Sequence, residues 1–287
     1  MAKLCYNMLK VTLLIMLIVL TNACRSVPYT NRCQLLILSE SKEQEIGVES
    51  WEQLKKQYKK STNERYNDAL KRVGRNLSIA IENDYDWEFI VFDNKQANAF
   101  CLPGGKVGVF SGLFDYTAND AELATVVGHE IAHAIARHSG EQISQDILKN
   151  MASTAAGIVL ESQAASALTQ ATLNVGVSLP YSRKHEYEAD HLGLIFMAKA
   201  GYHPQAALNF WKKFGEISQV GAFEVFLSTH PMSEDRLEEL QKLLPEAMKY
   251  YNECKFKRGT GVQYNFDIKV KIKSDTTRTY KLKPPPK

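Results

Sequence analysis

The spacing of hydrophobic residues divides the chain into helical and extended segments. Apolar residues recur every three to four positions across residues 41–60 and 63–81, which predicts two amphipathic helices. Residues 87–92 are rich in β-branched and aromatic side chains and predict a strand. Residues 98–110 contain two short extended pieces on either side of the turn Pro103-Gly104-Gly105. This part of the chain therefore combines helices with a small sheet.

The rest of the chain is predominantly helical in pattern. Residues 120–137 are mostly apolar and predict a buried helix that ends at Arg137 and His138, before Gly140. Residues 141–179 predict two helices, joined by a connection that could lie over a cleft. Three further helices are predicted at residues 181–200, 204–217 and from 234 onward. Residues 263–282 alternate between apolar and polar side chains and predict one or two strands. The pattern indicates an α+β fold that is predominantly α-helical.

The first 23 residues have the features of a secretory signal peptide. Lys3 and Lys10 supply positive charge around the start of an apolar run, residues 11–20, that is too short to span a bilayer comfortably. An alanine precedes Cys24, as at bacterial lipoprotein cleavage sites, so we expect Cys24 to become the lipid-bearing first residue. The leucine of this site lies four residues before the cysteine, where three is usual. Ordinary secretion and an uncleaved anchor are the alternatives.

Composition and charge add two expectations. The hydrophobic and charged fractions are those of a globular protein, and the net charge of +3 gives no indication of nucleic-acid binding. Positive charge is concentrated in residues 255–287, which contain ten Lys or Arg residues and two acidic ones. We therefore separate a main domain, residues 24–258, from a basic, β-rich tail, residues 259–287. The tail either contacts an anionic surface or forms a solvated edge strand.

The chemistry is concentrated in a His-Glu-x-x-His motif within the apolar helix. His129 and His133 are four positions apart, so both rings lie on one helix face and can bind one metal ion. Glu130 lies beside that metal and can take a proton from its water. The motif can arise by chance on a solvated helix, but the apolar surroundings indicate a buried one. A buried unpaired polar group costs about 1–3 kcal/mol, and a metal ion would give all three side chains a partner.

A second polar cluster can supply the third ligand that a catalytic zinc site needs. Glu186 and Asp190 are one helical turn apart, so Glu186 could bind zinc while Asp190 accepts the free ring N–H of a ligand histidine. Glu188 lies on another face and is the weaker candidate. On spacing alone, a charged and solvated helix start explains this cluster better. His230 precedes a proline in a predicted loop, where a lone histidine usually has no chemical role.

Four motifs together carry a resemblance to a known family. In chain order they are Asn98-Ala99-Phe100 with Pro103-Gly104-Gly105, then Gly128 to His133, then Arg183 to Asp190, then Ser228-Thr229-His230-Pro231. With these motifs the chain resembles the M48 family of zinc metallopeptidases, and in particular its bacterial periplasmic lipoprotein branch. The resemblance extends from about residue 27 to residue 240.

The resemblance implies a zincin-like α+β fold with a small sheet beside the active-site helix. It implies that His129, His133 and Glu186 hold one zinc ion, with Glu130 as the catalytic base. Asp190 would not bind the metal itself but would contact one of its ligands.

The resemblance also gives a role to His230 and to the hairpin. His230 resembles a family histidine near the metal, which stabilises the oxyanion or occupies the open ligand position. In zincin-like sheets an edge strand pairs with extended substrate, and we expect residues 106–110 to do so; a purely structural hairpin is the alternative. Rival zinc-protease patterns fit less well, because a metzincin has glycine and histidine where this chain has Ala136 and Ser139.

The sequence therefore predicts a zinc-dependent endopeptidase. We expect it to face the periplasm on a lipid anchor in the outer membrane and to cleave misfolded envelope proteins, without a nucleic-acid partner. One alternative is a zinc-stabilised chaperone or scaffold with little proteolysis, which would keep its activity without Glu130. The other is a membrane-binding module directed by the basic tail.

Overall fold

The computed structural model describes residues 24–151, 160–174, 181–217, 224–230, 234–264, 269–271 and 277–279. The predicted signal peptide and the middle of the predicted connection over the cleft lie outside these residues. Within the described ranges, no helix combines the length and the hydropathy that crossing a membrane requires.

Helices dominate the described residues, and the strands are short. The α-helices are α1 (Glu40–Gln57), α2 (Glu64–Ile81), α3 (Asp120–Ile135), α4 (His138–Met151), α5 (Leu160–Leu173), α6 (Arg183–Lys199), α7 (Gln205–Ile217), α8 (Glu224–Thr229) and α9 (Glu234–Glu253). The strands are β1 (Cys24–Ser26), β2 (Cys33–Leu35), β3 (Glu88–Phe92), β4 (Ala99–Leu102), β5 (Lys106–Phe110), β6 (Lys269–Lys271) and β7 (Thr277–Thr279). The two helices predicted between residues 41 and 81 are confirmed within three residues at each end, and the α+β fold is confirmed.

A three-stranded sheet with the order β3-β5-β4 lies beside α3. β5 occupies its centre, because it pairs in parallel with β3 and antiparallel with β4. The expectation that residues 106–110 pair with substrate is therefore wrong, since both hydrogen-bonding edges of β5 are used within the sheet. The free edge that faces the site belongs to β4, the first of the two extended pieces.

The centre of the fold is the contact between α3 and α6. Every residue of α3 from Asp120 to Ala134 is buried. The two helices approach closely where Gly128 meets Gly193, and a Cβ atom on Gly193 would lie only 3.0 Å from the backbone nitrogen of His129. The two glycines therefore permit a tighter crossing than larger residues would, and this close approach brings the start of α6 against the polar face of α3.

The C-terminal end of α3 differs from the prediction. The helix ends at Ile135, and Arg137 adopts a left-handed backbone conformation with φ of 56°. The Arg137 side chain is held by two hydrogen bonds to the buried Glu43 of α1. The chain turns at this point and α4 begins at His138, so Gly140 lies inside α4 and does not end α3. Fixing a non-glycine residue at positive φ costs free energy, and the Glu43 ion pair offsets it.

The segment 259–264 packs against the N-terminus of α3. The backbone N–H groups of Asp120 and Ala121 donate to Val262 and Thr260 respectively, and the Tyr264 hydroxyl donates to Asp120 at 2.8 Å. These bonds satisfy helix N-terminal donors that would otherwise lack partners. The first residues of the basic tail are thus part of the folded body, and beyond them β6 and β7 form an antiparallel pair.

Candidate metal centre

Helix α3 presents the motif side chains on its face toward α6. The Asn119 side chain caps the helix by accepting from the backbone N–H of Glu122 at 3.0 Å. His129 and His133 follow one turn apart, and their Nε2 atoms converge to 3.1 Å. Both rings are buried, as is Glu130. Two imidazole nitrogens this close together can bind the same metal ion, which is the arrangement that the motif spacing predicts.

Helix α6 supplies the carboxylates. The Ser182 hydroxyl caps it by accepting from His185 N–H, and Glu186 lies in its first turn. The Glu186 carboxylate oxygens lie 3.5 Å from the Nε2 atoms of both His129 and His133. Asp190 lies one turn further, with Oδ1 at 3.1 Å from His129 Nδ1, although the N–H is not aligned for a hydrogen bond. The structure therefore brings together the two helices that the sequence analysis paired.

His230, the residue directly after α8, joins these residues. Its Nδ1 atom lies 3.1 Å from Glu186 Oε1 and 3.3 Å from His129 Nε2, and its Nε2 atom lies 3.4 Å from Glu130 Oε1. Helix α8 ends at Thr229, so His230 lies at the start of the predicted loop, and its N–H still donates to the Phe226 carbonyl as in a helical turn. The helical turn directs the ring inward, where His230 is 3 % exposed.

Arg236, in α9, is a residue of the site to which the sequence assigns no role beyond its place in a predicted helix. Its Nε and Nη2 atoms each donate to Asp190 at 2.8 Å, and its Nη1 atom lies 2.9 Å from Glu186. The guanidinium is fully buried and also lies 5.2 Å from the Trp211 ring. Arg236 thus holds both carboxylates in place on the side away from the histidines. Its contacts join residues 46 positions apart, which no local sequence pattern reveals.

Two further side chains support His133 without a prediction from the sequence. The Tyr181 ring stacks on the His133 ring with centroids 4.0 Å apart, and its hydroxyl is hydrogen-bonded to Ser139 at 2.8 Å. On the other side, His138 Nδ1 lies 2.9 Å from His133 Nδ1. In the sequence, His138 is visible as a polar residue that follows an apolar helix. That position predicts only the basic end of a helix, not a contact with His133.

The residues fit a divalent cation. His129, His133, Glu186 and His230 each offer one ligand atom, and these atoms all lie within 4.8 Å of one another. Glu130, Glu186 and Asp190 are buried carboxylates, whereas Arg236 is their one Arg or Lys partner among the described residues. When ionised, the carboxylates leave two negative charges in excess, which a divalent cation balances. Imidazole and carboxylate are also the donors that zinc and similar metals take.

The pKa values of the site reflect its burial. Burial raises the pKa of Glu130, and the nearby His230 and His129 only partly offset this effect. Burial also holds the pKa of His133 well below its usual value, which keeps its ring neutral. At His129, burial lowers the pKa, but Asp190 and Glu186 outweigh it and bring the value to about 9. The carboxylates thus favour positive charge at the point where the ligand atoms meet.

A cleft of about 600 Å³ opens onto this centre. Residues of β4 form one wall, Glu130 and His230 lie at its base, and helices α4 and α5 form the opposite wall. The two helices predicted within residues 141–179 are confirmed as α4 and α5, whereas the connection expected to lie over the cleft falls outside the described residues. β4, whose outer edge has no strand partner among the described residues, therefore lines the same cleft as Glu130 and His230.

The sequence matches a known family and its members. Residues 60–244 match peptidase family M48. The chain is similar to mitochondrial metalloendopeptidase OMA1 of Schizosaccharomyces pombe, with 35% identity over 228 residues, covering 77% of this chain and 66% of that protein. It is 39% identical over 179 residues to the OMA1 metalloendopeptidase of Arabidopsis thaliana, covering 62% of this chain and 36% of that protein.

A bacterial protein is also similar. The putative beta-barrel assembly-enhancing protease of Vibrio cholerae is 32% identical over 182 residues, covering 60% of this chain and 37% of that protein. The chain thus spans between about a third and two thirds of the length of these relatives. With a family match over more than half of its length and a buried His and Glu cluster, the chain belongs to peptidase family M48.

Proposed function

We propose that the metal is zinc and that His129, His133 and Glu186 hold it. The observation that carries this proposal is the convergence of their ligand atoms in a buried pocket with excess negative charge. A zinc ion bound there would polarise the scissile carbonyl and lower the pKa of its water. Arg236 holds Glu186 in place, and we assign Asp190, whose Oδ1 atom lies 3.1 Å from His129 Nδ1, to orienting the His129 ring.

Glu130 is the proposed base of the reaction. Its Oε1 atom is buried and has no hydrogen-bond partner among the described residues, so it is available for a proton. Its raised pKa suits a carboxylate that takes a proton from the attacking water and returns it to the leaving amine. His230 lies 3.4 Å from this atom, and we assign it to the oxyanion. One of its ring nitrogens also lies within 4.8 Å of the three ligand atoms, so in this conformation His230 would serve as a fourth ligand of a bound metal.

The substrate is proposed to be a polypeptide in extended conformation. β4 offers free main-chain donors and acceptors at the cleft, and such pairing makes few demands on side chains. An enzyme of this kind suits the removal of misfolded envelope proteins. We propose this role in the periplasm, with a lipid on Cys24 anchoring the chain to the outer membrane. The signal-like N-terminus and the bacterial relative support the location.

The test compares the chain from Cys24 onward with its Glu130→Gln variant. Zinc content is measured by mass spectrometry and proteolysis by casein cleavage, with exposed Glu45→Gln as a matched control. We expect one zinc per chain in all three proteins and a loss of about 10²–10⁴-fold in cleavage only for Glu130→Gln. Zinc bound with equal cleavage by all three would exclude Glu130 as the base. Zinc bound with no cleavage by any would favour the scaffold alternative.

A further inference from the structure

A chain of polar contacts extends behind His133, away from the cleft. His133 Nδ1 lies 2.9 Å from His138 Nδ1, and His138 Nε2 lies 3.0 Å from Glu188 Oε2. His138 is completely buried at the start of α4, and Glu188 is 7 % exposed on α6. Glu188 is the carboxylate that the sequence analysis ranked below Glu186 as a ligand. In the structure it lies behind the candidate metal ligands, and among the described residues its link to His133 runs through His138.

The contacts permit one placement of the ring protons. A metal on His133 Nε2 leaves the ring proton of His133 on Nδ1, where it is donated to the lone pair on His138 Nδ1. His138 then carries its own proton on Nε2 and donates it to the Glu188 carboxylate, which accepts only. The opposite tautomer of His138 would set two N–H groups against each other and a lone pair against a carboxylate. Every donor therefore meets an acceptor in only one arrangement.

Glu188 is itself held by the segment that joins β1 to β2. Arg32 Nε and Nη2 donate to Glu188 Oε2 at 2.9 and 2.7 Å, and the Thr30 hydroxyl donates to Oε1 at 2.5 Å. The same guanidinium donates twice to Glu141 of α4. Arg32 is thus the cation that balances two largely buried carboxylates. It precedes residues 60–244, the part of the chain that matches the peptidase family.

We propose that His138, Glu188 and Arg32 are positioning residues of the metal centre, which hold His133 with its Nε2 lone pair directed at the metal. The N-terminal segment before the family match thereby completes the support of the site. This inference rests on the proposed binding of zinc by His133. Outer partners of metal-bound histidines orient the ring and raise its basicity, and their loss lowers metal affinity about 10- to 100-fold.

The first test measures zinc dissociation constants by competition with a chromophoric chelator. His138→Leu removes both polar contacts, and we expect its zinc affinity to fall about 10- to 100-fold. His138→Asn keeps an acceptor near the Nδ1 position and should recover part of the loss. Arg32→Gln should also weaken zinc binding, whereas Arg72→Gln should not. Arg72 is the matched control, because it makes a similar two-pronged contact with a buried carboxylate of α3, Asp120, at the end far from the histidines.

The second test uses the unaltered protein and does not depend on the folding of a variant. Nitrogen-15 spectra of the zinc-loaded chain report which ring nitrogen of each histidine carries the proton. We expect the His133 proton on Nδ1 and the His138 proton on Nε2. A His138 proton on Nδ1, or wild-type zinc affinity in folded His138→Leu, would overturn the inference while leaving the proposed function intact. A wild-type chain that binds no zinc would instead refute the proposed function.

Discussion

Gly193→Ala is the perturbation that most directly tests how the fold builds the site. The added Cβ would lie 3.0 Å from the His129 nitrogen and 3.1 Å from the Gly128 carbonyl carbon and the His129 Cα. Ordinary contacts for such an atom are 3.4–4 Å, and every neighbour here is backbone. Helices α3 and α6 must therefore separate by a few tenths of an ångström. Overpacking of this kind costs about 1–3 kcal/mol.

The separation should affect the metal as well as stability. Glu186 lies on α6, whereas His129 and His133 lie on α3, so moving the helices apart stretches the ligand set. We expect weaker zinc binding, measured by chelator competition, and a lower Tm, by about 2–4 °C for each kcal/mol in a chain of this size. Gly215→Ala is the matched control, since its Cβ would have no atom of the described residues within 4 Å. It should be neutral or slightly stabilising within helix α7.

Wild-type zinc affinity and stability in Gly193→Ala, with the same result for Gly215→Ala, would refute this reasoning. It would mean that the helix crossing tolerates a methyl group and that close approach does not set the ligand geometry.

Three other predictions follow from the ion pairs and from the tail. Arg236→Met leaves Asp190 buried without its cation, so chemical denaturation should show a free energy of unfolding lower by about 3–5 kcal/mol. A decrease below about 1 kcal/mol would contradict the stabilising role of the Arg236–Asp190 ion pair. Burial raises the pKa of Glu141, but its hydrogen-bond donors, Arg32 among them, outweigh burial and lower the pKa from 4.5 to about 2. The ionised Glu141 therefore contributes fully to the free energy of unfolding above pH 4.5, and this contribution is lost as the pH falls through 2. In zinc-free protein, Arg32→Gln should make the free energy of unfolding depend less steeply on pH between these values. Tyr264→Ala should lower Tm by a few degrees, because the hydroxyl that donates to Asp120 of α3 is lost, and an unchanged Tm would contradict a stabilising role for this bond.

The parts of the site that the sequence predicted are those encoded within one helix. His129 and His133 are placed by the period of α3 alone, and Glu186 and Asp190 by the period of α6. The parts that it missed depend on contacts between distant segments. Arg32 lies 156 residues from Glu188, and nothing in the local pattern around either residue indicates the other.

The error in the substrate strand has a similar cause. β4 and β5 are both short and apolar, and their hairpin was visible in the Pro-Gly-Gly turn. Which of them lies at the edge is decided by β3. It pairs in parallel with β5 and not with β4, the strand that follows it in the sequence. Strand order is a long-range property and cannot be obtained from the alternation of side chains.

The most direct test of the account is a crystal structure of the zinc-loaded chain with anomalous data collected at the zinc edge. We expect one strong anomalous peak per chain, bonded to Nε2 of His129, Nε2 of His133 and the carboxylate of Glu186. The same measurement on Glu186→Gln should show a weaker peak or none. A peak bound elsewhere in the chain, or full occupancy that does not involve Glu186, would contradict the central claim that these three residues form the metal site.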